Sequence, residues 1–173
     1  DDFVLVMNGR LQKLIPETAG SDLYHTESET FWRIRRISAG CANGAEVDCP
    51  YWEVTTTDGT RFTFGQTPDS IQLALTTGLS QSGSDVYRLY TYPGRFHLNR
   101  VENINGSYMV FEYTKQSQPY TLDFQGEVVD TANYDPELYL AHIRYTGNSQ
   151  ANLPLQRRVS FTYEDRAEGN LTD

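Results

Sequence analysis

The chain has 173 residues, 38% of them hydrophobic, and carries a net charge of −9 from 23 Asp and Glu against 14 Lys and Arg. That length suits one domain or a slice of a larger β-structure, and the hydrophobic fraction is too low for strands buried on both faces but sufficient for strands with one wet face. The acidic balance argues against binding phosphate backbones or anionic membrane surfaces, and no run of 18 apolar residues is present to span a bilayer as a helix.

The aromatic content, 12 Tyr, 8 Phe and 2 Trp, favours strands, because large flat and β-branched side chains fit a pleated, half-buried surface. Asp1-Asp2-Phe3 already opens a strand-like run, so the chain is expected to be a processed or excised piece, and its missing signal peptide carries no information on compartment. Residues 3–7 and 10–15 are apolar runs joined by Asn8-Gly9. Asn-Gly between such runs is the strongest short-range hairpin signal, because a type I′ turn needs positive φ at both central positions. A strand is expected over 31–37.

Cys41 and Cys49 then flank Asn43-Gly44, a turn signal. A turn would bring the thiols together, and a disulfide closing a short loop is the simplest outcome; free thiols and a metal site are the other readings. A zinc site needs two more ligands, and His25, His97 and His142 are scattered without ligand spacing. A disulfide implies an oxidising compartment. The sequons Asn105-Gly106-Ser107 and Asn170-Leu171-Thr172, candidate glycosylation sites, are compatible with secretion.

The second hairpin runs 51–57, turns at Asp58-Gly59 and returns over 60–65, with Phe62 and Phe64 on one side and Arg61 and Thr63 on the other. Residues 66–86, rich in Gly, Ser, Thr and Gln, read as a long loop or insertion, with a short helical turn or strand over 71–75. Alternation resumes over 86–92 and stops at Pro93-Gly94. A third hairpin joins 96–103 to 107–113 through Asn105-Gly106. A fourth turns near Gln125-Gly126, and after a loop from Asn133 to Pro136 a strand over 139–145 pairs with one over 158–164. No window keeps a helical apolar period. The fold class is therefore all-β: an antiparallel hairpin meander of about ten to twelve strands forming a curved or sandwich-like sheet, either one β-rich domain over 1–173 or an excised segment of a larger shell.

The chain carries no Gly-x-Ser-x-Gly elbow, phosphate-cradling loop or calcium loop of the Asp-x-Asp-x-Asp-Gly type, so neither a catalytic site nor a cofactor or metal is expected. Glu27 with Glu29, and Asp135 with Glu137, have the two-residue spacing that shares a strand face, conceivable for a glycosidase pair. Both lie in loop-like stretches of an acidic chain, where such pairs arise freely. The acidic stretch 130–135 is expected to hold a cation loosely at most. Trp32, Trp52 and Tyr51, and the tyrosines at 87, 90 and 92, would stack on sugars if exposed. Their strand period favours a sheet core or cross-strand ladders instead.

In order, the chain presents a strand with Asn8-Gly9, the segment Tyr24-His25-Thr26-Glu27, and the hairpin from Tyr51 and Trp52 through Asp58-Gly59 to Phe64-Gly65. Residues 96–101, Asn105-Gly106-Ser107 leading to Tyr113, 139–147, and Arg158-Val159-Ser160-Phe161-Thr162-Tyr163-Glu164-Asp165-Arg166 follow. This ordered series, covering most of the chain, resembles the region at or before the start of the repeat shell in bacterial Rhs/YD-repeat proteins and related insecticidal toxin-complex proteins. It departs from them in having Asn105-Gly106-Ser107 for a Gly-Asn turn, Asn103 where Asp is common, and the 66–86 stretch and cysteine loop as additions. The resemblance implies a structural, non-catalytic segment of a secreted or cell-surface shell, whose partners are neighbouring shell segments or further copies joined through sheet edges. The rival expectation is a secreted carbohydrate-binding or adhesive module using exposed aromatics.

Overall fold

The computed structural model describes residues 3–39, 49–79, 87–124 and 126–164. Its strands are β1 (Phe3–Met7), β2 (Arg10–Pro16), β3 (Leu23–Thr26), β4 (Arg33–Ala39), β5 (Cys49–Thr55), β6 (Arg61–Phe64), β7 (Ile71–Leu79), β8 (Tyr87–Phe96), β9 (Leu98–Glu102), β10 (Ser107–Phe124), β11 (Glu127–Asn148) and β12 (Arg157–Ser160), with one 3-10 turn at Pro68–Ser70. Ten strands form a single sheet in the order β1-β2-β3-β4-β5-β6-β9-β10-β11-β12, and β7 pairs with β8 as a separate ribbon. All described pairings are antiparallel, so the all-β meander is as the turns and alternation require.

Period-two alternation sets the core. On β5, Trp52 and Val54 are buried while Tyr51 and Glu53 face the other way. The register places Ile34 opposite Val54, and these pack with Leu5, Met7 and Leu14. Trp52 holds Phe3 and Tyr24 edge-to-face, at 4.8 and 4.9 Å between ring centroids. Trp52 is only 6% exposed, so for this residue the sheet-core reading favoured by its strand period holds and the alternative of sugar stacking does not: its strand parity turns the indole inward.

The turns divide into two kinds. Asn8 and Gly9 both have positive φ, 53° and 72°, as a two-residue type I′ turn requires. The other two hairpins do not repeat this. Gly59 and Gly106 are left-handed, at 81° and 76°, whereas Asp58 and Asn105 are not. Gly59 N–H donates to Thr56 O and Thr56 N–H to Thr60 O; Gly106 N–H donates to Asn103 O and Asn103 N–H to Ser107 O. Each is a three-residue loop, a type I turn closed by a left-handed glycine.

Two stretches expected as loops are strands. Residues 71–79 form β7, which contains the 71–75 stretch expected as a short helical turn or strand and continues it into the expected loop, paired with β8 from Ile71 opposite Phe96 to Leu79 opposite Tyr87; residues 80–86 lie outside the described residues. The Thr and Gln that suggested a loop are side chains of a ribbon with a wet face, and Thr is a good strand former. The stretch from Asn133 to Pro136 lies inside β11. There the register shifts between Gln116 and Gln118 of β10, leaving Asp135 and Pro136 at a bulge, where a residue without an N–H is tolerated. The third and fourth expected hairpins consequently share one continuous 18-residue strand, β10.

Carboxylates dock the β7–β8 ribbon onto the β10–β11 pair. Asp69 Oδ2 accepts Tyr113 N–H at 2.9 Å, Asp135 Oδ2 accepts Leu73 N–H at 3.0 Å, and Asp130 Oδ2 accepts Leu89 N–H at 3.0 Å. Tyr113 and Leu73 both lie at register shifts, so the carboxylates serve amides next to breaks in the regular ladder. Asp135, 4% exposed, is also paired with Lys115 at 3.2 Å.

Replacing Trp52 with Ala is expected to cost about 3–5 kcal/mol in urea unfolding, with Trp52→Phe costing much less, because Ala leaves Phe3 and Tyr24 facing a cavity. Asp135→Ala is expected to cost about 1–3 kcal/mol, the penalty of leaving buried partners unsatisfied, and to speed amide exchange at Leu73 more than at Ile34.

Candidate functional site

Among the described residues, the sheet ends in two strands that pair on one side only, β1 and β12. Residues 3–7 contain no charge and no proline, the usual devices that keep an edge from pairing. Val4, Val6 and the cross-strand neighbour Leu11 are 50%, 65% and 71% exposed on one face. At the other end Val159, Phe161 and Tyr163 are also exposed. Phe161 N–H donates to Ala141 O and Tyr163 hydroxyl to Leu140 O, which extends the contact with β11 past β12. Among the described residues, exposed large hydrophobic side chains outnumber buried ones, as expected of a single-layer sheet whose apolar surface is not closed against a second layer.

Away from the edges, the polar side of β5, β6 and β9 gathers charge. Arg61 and Arg100 both donate to Glu102 Oε2, at 2.9 Å, and Ser149 hydroxyl donates to Glu102 Oε1. Arg100 also lies 4.0 Å over the Tyr108 ring. Arg61, Arg100 and Glu102, with Tyr51, Glu53, Thr63 and Gln66, line a shallow depression of about 300 Å³. Burial pushes the Glu102 carboxyl up, but the hydrogen bonds from Ser149, Arg100 and Arg61 outweigh it and hold the group below the ordinary carboxylate range. An ionised carboxylate with both oxygens engaged by donors has no proton to deliver. The cluster is a staple joining β6, β9 and the turn at Ser149.

The histidines lie on separate elements. His25 Nδ1 is 3.2 Å from Thr26 O; His97 Nε2 is 3.3 Å from Gln72 Oε1; His142 Nδ1 is buried without a partner. Burial, with the charges of Arg95 and Lys115, lowers the His97 pKa. Its ring neighbour Tyr113 is pushed up to about 12 by burial and the Asp69 charge, and donates its hydroxyl to Leu98 O. Among the described residues no three His, Cys, Asp or Glu side chains converge to hold a metal.

The carboxylate pairs are used locally. Glu29 accepts Phe31 N–H, Asp135 is engaged by Leu73 and Lys115, and Glu137 accepts the Tyr139 hydroxyl. The acidic stretch 130–135 is strand, and its Asp130 and Asp135 serve amides of the β7–β8 ribbon. Sequence reasoning missed these clamps because they depend on bulges, and only the faint Asp-Pro signal at 135–136 marks one. Asn105 is exposed at a hairpin tip, open as a glycosylation acceptor. Tyr51 lines the polar depression and Trp32 a second recess. Cys41 and Asn170 lie outside the described residues, so the disulfide does too, although Cys49 pairs with Ala39 along the backbone. No family model, curated protein or solved structure matches the chain.

Because the folded-state pKa of Glu102 is depressed, its stabilisation is fully present above the ordinary carboxylate range and is lost as pH falls through the depressed value. Denaturant midpoints measured from neutral pH downward are expected to decline over that window, and Glu102→Gln is expected to lower the neutral-pH midpoint and flatten the decline.

Proposed function

We propose that this chain is a structural, non-catalytic segment of a β-sheet wall of the Rhs/YD-repeat type, in a secreted or cell-surface assembly, and that it works by edge-to-edge continuation with flanking strands. The carrying observation is the open edge at β1, which has neither charge nor proline; the opposite edge, β12, exposes Val159 but also carries Arg157 and Arg158. Natural sheets blunt edges that must stay solvated, so an undefended edge such as β1 favours a strand that is covered in the working assembly. The ordered motifs behind the resemblance support the same reading. Asn8-Gly9 joins β1 to β2, the segment at Tyr24 holds β3, the hairpin at Asp58-Gly59 is β5–β6, and Asn105-Gly106 joins β9 to β10. A wall needs a continuous ladder and two faces rather than a nucleophile, and Arg61, Arg100 and Glu102 are engaged in stapling β6 to β9.

Sedimentation velocity across a concentration series tests the reading. The 173-residue chain is expected to associate, and Val6→Lys combined with Val159→Lys is expected to weaken association at least about tenfold while leaving the far-ultraviolet spectrum unchanged, because both side chains are already exposed. A chain that stays monomeric at every concentration would overturn it.

A further inference from the structure

The inward row of β2 runs Leu14, Gln12, Arg10, since these residues pair with Phe3, Leu5 and Met7 of β1. Leu14 is buried in the core, but the next two positions carry an amide and a guanidinium. Arg10 is exposed and Gln12 part-buried, so both stay open to solvent at the margin of the core face. Here they wall a recess of about 320 Å³ together with Met7, Asn8, Thr30 and Trp32. The Trp32 indole packs its body on the core cluster and is half-buried. Among the described residues, the side chains of Asn8, Arg10 and Gln12 make no hydrogen bond or ion pair. The lining contains one cation and no carboxylate, in a protein of net charge −9. Beside it, Phe31 is 80% exposed and held at φ 57°, a strained conformation for a bulky side chain. The backbone there is pinned by Phe31 N–H donating to Glu29 Oε1, between the lining residues Thr30 and Trp32.

We propose that this recess binds one sugar ring of an acidic glycan. A pyranose has an apolar C–H face and a rim of hydroxyls, which matches an indole bordered by side-chain amides. Trp32 stacks on the ring, the Asn8 and Gln12 amides each donate to one hydroxyl and accept from another, and Arg10 takes the carboxylate of a hexuronate as the one unpaired cation of the lining. The strained turn at Phe31 holds Trp32 facing inward and leaves the Phe31 ring at the rim, where a neighbouring sugar would meet it. This site stands independently of the wall reading, because it lies on the inward face of β2 and does not require either edge to be free or covered.

Trp32 and Trp52 are the two indoles of the chain, so Trp52→Phe isolates the Trp32 emission. That variant and the wild type are titrated in parallel with oligogalacturonate and with a neutral malto-oligosaccharide of equal length, below the concentration at which the chain associates. The expected result is a saturable change in emission with the acidic oligomer and a response at least tenfold weaker with the neutral one. Calorimetry of Arg10→Gln is expected to show affinity for the acidic oligomer falling to that of the neutral one. Gln12→Ala is expected to weaken both. Absence of a saturable response in the wild type, or binding unchanged in Arg10→Gln and Gln12→Ala, overturns the site; equal affinity for the two oligomers overturns the hexuronate assignment.

Discussion

Trp52 touches Phe3 and Tyr24 edge-to-face, and that one aromatic cluster ties the first, third and fifth strands of the sheet together. Those strands are not neighbours in the hydrogen-bonded ladder, so the contact is what makes the amino-terminal half a packed unit instead of a string of hairpins. Around it gather the buried Leu5, Met7, Leu14, Ile34 and Val54. The cluster occupies one face only. Everything that follows, a wet opposite face rich in ion pairs, apolar residues left at the margins and edges open to pairing, comes from a core that covers part of one side of a sheet ten strands wide.

The carboxyl-terminal half is held differently. β10 and β11 form a long ribbon broken by register shifts, and the β7–β8 ribbon is docked on it through Asp69, Asp130 and Asp135. A bulge leaves backbone groups without a ladder partner, and a carboxylate is a strong acceptor for an amide. The acidic character of the chain thus has a local structural use as well as a general one in solubility. Acidic residues close in sequence, Asp130, Asp135 and Glu137, are each turned to a different partner.

How much of this was legible in advance varied with the range of the cause. Asn8-Gly9, Asp58-Gly59 and Asn105-Gly106 announced hairpins correctly because a left-handed turn is a local demand on residue type. The kind of turn at the second and third was not legible, since type I with a left-handed glycine and type I′ accept the same dipeptides. Only part of β7 was legible, as a short helical turn or strand over 71–75, because Thr and Gln serve exposed strands and loops alike, and the choice falls to the partner β8. Asp135-Pro136 read as a loop because proline breaks a regular strand; the bulge that admits it depends on β10. Of the candidate sugar-stacking residues, Trp52 proved buried, whereas Trp32 and Tyr51 border recesses.

By itself the sequence determined the all-β class, the hairpin turns and the alternation along each strand, since period-two patterning and positive-φ residues act within a few residues of one another. Only the tertiary structure decided which face of each strand became core, how β7–β8 left the main sheet, and which polar groups remained unpaired beside Trp32. Those outcomes follow from register between strands far apart in the chain, and a shift of one residue there exchanges inside for outside.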